Sequence, residues 1–76
     1  MNKKEKKALE KALGIRLRTI LKQKKMRPIE LSKRTFIDKQ HISKYLKGAN
    51  PNFVTLHNLA EGLGVSLEEL FRGFNG

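Results

Sequence analysis

Apolar residues recur along this chain at intervals of three and four, the spacing that lines one face of a helix. Leu9, Leu13, Leu17, Ile20 and Leu21 share one broad face and predict a first helix over residues 8–25. The lysine-rich start, Asn2-Lys3-Lys4-Glu5-Lys6-Lys7, reads as a basic N-terminal arm or as an extension of that helix, with the main domain over residues 8–76. Pro28 suits the first turn of a second helix, where a backbone N–H is not needed; Ile29, Leu31, Ser32 and Thr35 follow. Asp38 is a good N-cap for a third helix over residues 38–47 that carries Ile42, Tyr45 and Leu46 and stops at Gly48. After the turn Ala49-Asn50-Pro51, Asn52 caps a fourth helix with Leu56, Leu59, Ala60 and Leu63 at core spacing, ended by Gly64. Ser66-Leu67-Glu68-Glu69 is a capping box, with Val65 and Leu70 placed as its hydrophobic staple, and it opens a fifth helix. The pattern predicts an all-α fold.

Composition narrows the class. Seventy-six residues without a cysteine predict a single domain that folds on aliphatic packing, with no disulfide and no thiolate metal site. No apolar run is long enough to span a bilayer and no signal-peptide core opens the chain, so a cytoplasmic, nucleoid-associated location is expected. At this length a separate ligand-sensing unit is not expected. The formal charge of +10 is unevenly spread: residues 1–50 hold sixteen basic and four acidic side chains, residues 51–76 one and three. A positive field concentrated on part of a small domain suits a polyanion. A solvated surface has the same composition, so charge alone does not name the partner.

The order short helix, tight turn, short helix, glycine stop and two packing helices resembles the Cro/repressor helix-turn-helix family, also called XRE-like. The resemblance covers residues 13–71. It rests on Leu13-Gly14 with Arg16-Leu17-Arg18, on Glu30-Leu31-Ser32, on Ile37-Asp38-Lys39-Gln40-His41-Ile42-Ser43, and on Leu56, Leu59-Ala60 and the run Leu63-Gly64-Val65-Ser66-Leu67-Glu68-Glu69-Leu70-Phe71. It implies a compact five-helix, lambda-repressor-like bundle that binds duplex DNA as a transcriptional regulator, expected to be a repressor. In such a domain the second helix braces across the DNA backbone and the third reads base edges in the major groove. The base-contacting positions of the family fall here on Lys39, Gln40 and Lys44. Lysines can donate to guanine O6 and N7, and a glutamine can pair with adenine N6 and N7. Residues 40 and 44 are one helical turn apart and face outward together, while Ile42 and Tyr45 face inward. Phosphate contacts are expected from Arg27 and Lys33 at the second helix, from His41 and Ser43 beside the reading face, and from Lys47 and Asn50 at its far end.

Four departures from the family pattern bear on the site. Pro28 replaces a glutamine that often contacts phosphate. Phe36 and Lys25 stand where glycine often supplies a left-handed turn; either the Phe36 ring is buried and offsets the strain, or the turn is re-formed. The loop after Gly48 is about one residue short. Leu21 and Leu46 replace a buried arginine–glutamate pair, a change that leaves no stranded charge and predicts that the two leucines meet.

One recognition helix reads few base pairs, so a homodimer on a palindromic site is expected. Phe53, Val54, Leu70, Phe71 and Phe74 are candidates for its interface or, equally, for closing the monomer core. The alternative class is an antitoxin or other protein-interaction module that retains the fold, with a toxin as possible partner. Catalysis is not expected: Asp38, His41 and Ser43 lie on successive helical positions and cannot converge as a triad. Two histidines and one aspartate without cysteine argue against a metal centre, and no nucleotide-cradling glycine loop or cofactor motif is present. Aromatic residues interleaved with the basic ones, which single-stranded RNA would need for stacking, are missing. The basic first helix as a membrane-surface element is a weaker reading, since the core explains its apolar face.

Overall fold

The computed structural model describes residues 1–73, and Phe74 lies outside them. Five helices follow one another: α1 (Lys3–Gln23), α2 (Pro28–Thr35), α3 (Lys39–Leu46), α4 (Phe53–Leu63) and α5 (Leu67–Leu70). No strand occurs among the described residues, and the bundle is all-α.

Local chemistry sets most of the helix ends. Asn2, Asp38, Asn52 and Ser66 each accept a hydrogen bond from the backbone N–H three residues ahead, at 2.8 to 3.1 Å. These bonds satisfy donors that a helix start otherwise leaves unpaired. The Asn2 cap starts α1 five residues earlier than the apolar pattern alone suggests, so residues 3–7 continue the helix. At α2 the N-cap is Arg27, whose side chain has no acceptor. Here the Glu30 carboxylate accepts from the Arg27 N–H at 3.3 Å. Gly64 (φ 72°) ends α4 in the left-handed conformation. Lys25 does the same after α1 at φ 53°, where its N–H donates to Lys22 and that of Met26 to Leu21.

Every helix contributes to one core. The largest fully buried side chains are Leu17 and Ile20 from α1, Leu31 from α2, Ile42 from α3, Leu59 and Leu63 from α4 and Leu70 from α5. Burying each stabilises the fold by roughly 1.5–3 kcal/mol relative to exposure. Leu70, a candidate for a dimer interface or for the core, is 0% exposed and closes the monomer core. Leu21 is buried and Leu46 half-buried against the same cluster.

Two glycine contacts bring helices close together. α1 crosses the end of α3 at Gly14, where a Cβ would lie 2.8 Å from the Leu46 carbonyl oxygen and 3.1 Å from the Gly48 nitrogen. α2 packs on α4 at Gly62, whose missing side chain leaves room for Thr35 and Leu31. Arg16 adds a clasp that the apolar pattern gave no sign of. Its guanidinium donates to the carbonyls of Glu69 (2.8 Å) and Leu70 (3.3 Å), tying the end of α5 to α1. A cation there also complements the negative end of the short helix.

Candidate nucleic-acid interface

α3 divides its side chains between core and solvent. Ile42 is fully buried, and Tyr45 and Leu46 pack half-buried against the core. Lys39, Gln40, His41 and Lys44 are exposed, Ser43 is half-buried, and Lys47 follows exposed at the C-cap. A shallow hollow on the outer face is lined by Lys39, Gln40, Ser43, Lys44 and Lys47. The three candidate base-reading residues therefore share one surface with two of the candidate phosphate contacts. Three lysines and no carboxylate line it, a composition that attracts an anion.

The acid of the segment is held at the helix start. One Asp38 oxygen accepts from the His41 backbone N–H at 3.1 Å, and the other sits 2.9 Å from His41 Nδ1. The backbone bond, then the ring, hold the Asp38 carboxyl below its ordinary value of 3.8. The contact commits Nδ1 of His41, so a phosphate would meet that ring through Nε2.

The α2–α3 turn, residues 36–38, sets the angle of the outer face. The Ser32 hydroxyl donates to the Ile37 carbonyl, and the Ile37 N–H donates to the Thr35 hydroxyl at 3.3 Å. Thr35 in turn donates to the Leu31 carbonyl at 2.8 Å. Ile37 is thus fixed on both its backbone groups by side chains of α2. Phe36, immediately before it, is left-handed at φ 59° and ψ 18°. Its ring is 97% exposed, which overturns the idea that burial offsets the strain. The surrounding hydrogen bonds over-determine the turn instead.

The remaining candidates separate. Arg27, the N-cap of α2, and Lys33, on that helix, are exposed and do not line the α3 hollow. The α2 N-terminus already carries the Glu30 carboxylate on its N-cap N–H, which takes part of what an incoming phosphate would use. Asn50 is exposed and borders a different, largely apolar groove together with Leu9, Leu13, Leu56 and Phe71. Among the candidate interface residues, Phe53 (70% exposed) and Val54 (67%) stand out at the start of α4, with Phe71 less exposed. Among the described residues no cluster of three or more His, Asp or Glu side chains could hold a metal, and no helix is long and apolar enough to cross a membrane.

Comparison with known families adds one result: the Cro/C1-type HTH DNA-binding domain matches residues 16–72. No curated protein and no solved structure matches.

Proposed function

The chain belongs to the Cro/C1-type helix-turn-helix DNA-binding family, and on that premise we propose that it is a sequence-specific repressor that reads an operator with the outer face of α3. The observation that carries this reading is the shared hollow of Lys39, Gln40, Ser43, Lys44 and Lys47. Lys39 and Lys44 reach guanine, and Gln40 reaches adenine. Ser43, Lys47 and His41 hold the phosphates beside them, and Arg27, Lys33 and Asn50 extend backbone contacts along the flank. Such contacts set register and affinity without carrying sequence information.

The reading includes a homodimer acting in the cytoplasm on nucleoid DNA. Phe53 and Val54 support it, because two large adjacent apolar side chains in water at the start of α4 are a natural self-association patch. The same patch also fits a protein partner such as a toxin, and sedimentation of the isolated chain separates the two: a monomer at micromolar concentration favours the heterologous partner.

Selection of bound duplexes from a random pool tests the central reading. The expected result is a palindromic consensus with two equal half-sites, lost in the Lys39→Ala/Gln40→Ala/Lys44→Ala variant. Recovery of no consensus, or of the same one by that variant, sinks it.

A further inference from the structure

A second basic groove adjoins the α3 surface. It is lined by Lys4, Lys7, Ala8, Glu10 and Lys11 of α1 and by Lys47 and Gly48 at the end of α3. Lys47 lines both hollows, so the two form one continuous strip. Four lysines face a single carboxylate along it.

The fold builds this juxtaposition from backbone. Besides the Gly14 crossing, a Cβ at Gly48 would meet Glu10 O and Lys11 Cα at 3.5 Å. Residues 10–14 of α1 thus lie against residues 46–48. α1 begins at Lys3, so its first turns run on beyond the crossing by about 10 Å at 1.5 Å per residue. Lys4, Lys7 and Lys11 are three and four residues apart and fall on one stripe that leads from the overhang to the crossing. Lys6, off the stripe, lines the apolar groove instead. A row of lysines on a rigid helix, continuous with a base-reading surface, has the charge and direction of a track for a phosphodiester backbone.

The geometry points to the start of α1 as a second DNA-backbone clamp, in which Lys4, Lys7 and Lys11 bind successive phosphates flanking the segment that α3 reads. This rests on the DNA-reading role of α3. It adds affinity and footprint length and leaves sequence preference to residues 39, 40 and 44.

The test uses the full chain and the duplex selected for it, with binding measured across a salt series. Each phosphate neutralised adds about 0.9 to the slope of log K against log salt. Lys4→Gln/Lys7→Gln/Lys11→Gln is expected to lower that slope by about 2–3 while the ranking of competing duplexes stays the same. Arginine at the same three positions should keep the slope. A charge-matched control, Lys6→Gln/Arg34→Gln/Arg72→Gln, removes three positive charges that do not line the groove and should change the slope by less than 1. Circular dichroism verifies that each variant is helical. An unchanged slope in the first variant, or an equal fall in the control, overturns the clamp while leaving the α3 reading intact. Absence of any duplex preference in the wild-type chain overturns both.

Discussion

Gly14 of α1 and the Leu46 carbonyl of α3 meet so closely that a single methyl group does not fit between them: a Cβ at residue 14 would sit 2.8 Å from that oxygen. The neighbour is backbone, which cannot rotate aside as a side chain can. The contact therefore sets how near α3 lies to α1, and with it the projection of the outer face.

Gly14→Ala is expected to destabilise the domain by about 1–3 kcal/mol, as overpacking does. The sign is informative, because alanine improves an exposed helix interior by about 1 kcal/mol. Thermal unfolding decides, and a raised Tm would contradict the close approach.

Phe36→Gly should act in the opposite direction. The left-handed backbone costs a side-chain-bearing residue roughly 1–2 kcal/mol, and the 97% exposed ring loses no packing on removal. After the extra freedom of glycine in the unfolded chain is deducted, a gain of about 1 kcal/mol remains, equivalent to a Tm about 4–8 °C higher. An unchanged or lower Tm would show that the ring has a stabilising role in the folded domain.

Asp38 makes part of the stability pH-dependent. Its carboxyl is held below 3.8 in the fold, so its contribution is fully present above that unfolded value and disappears as pH falls through the lower folded one. Asp38→Asn keeps an N-cap acceptor without the charge and should flatten the acid limb of the stability curve. Asp38→Ala should lower Tm at neutral pH as well. Urea titrations between pH 2 and 7 compare the three; an acid limb in Asp38→Asn as steep as in the wild type would assign the effect to other carboxylates.

Gln40→Ala and Lys33→Ala should fail differently. Loss of a bidentate base contact costs about 1–3 kcal/mol on the preferred duplex and relaxes choice at one base pair. Loss of a phosphate contact weakens all duplexes alike and lowers the salt slope by about 1. Competition binding against single-base variants distinguishes them, and uniform weakening by Gln40→Ala would remove that residue from the reading face.

Arg16→Ala should cost about 1.5–3 kcal/mol, the range for hydrogen bonds from a charged group. Its removal frees two carbonyls at the end of α5, so amide exchange in residues 67–71 should accelerate more than in α3. Uniform acceleration would argue against a local clasp.

Helix positions and most of their caps were legible in the sequence because they depend on groups within four residues of one another: Pro28, Asp38, Asn52, Gly64 and Ser66 act where periodicity put them. The division of α3 into Ile42 inside and Lys39, Gln40 and Lys44 outside follows equally from helical period. Only tertiary structure decided the rest. Leu70 and Phe71 are neighbours in an apolar run, yet the fold buries one completely and leaves the other partly in water. Phe36 keeps a left-handed turn because Ser32 and Thr35 hold Ile37. Arg16 finds acceptors more than fifty residues away, and Lys47 joins the lysines of α1 through the glycine contacts at 14 and 48. Sequence spacing encodes which side chains share one helix face; which faces then meet is set by the packing of distant backbones, for which no local pattern exists.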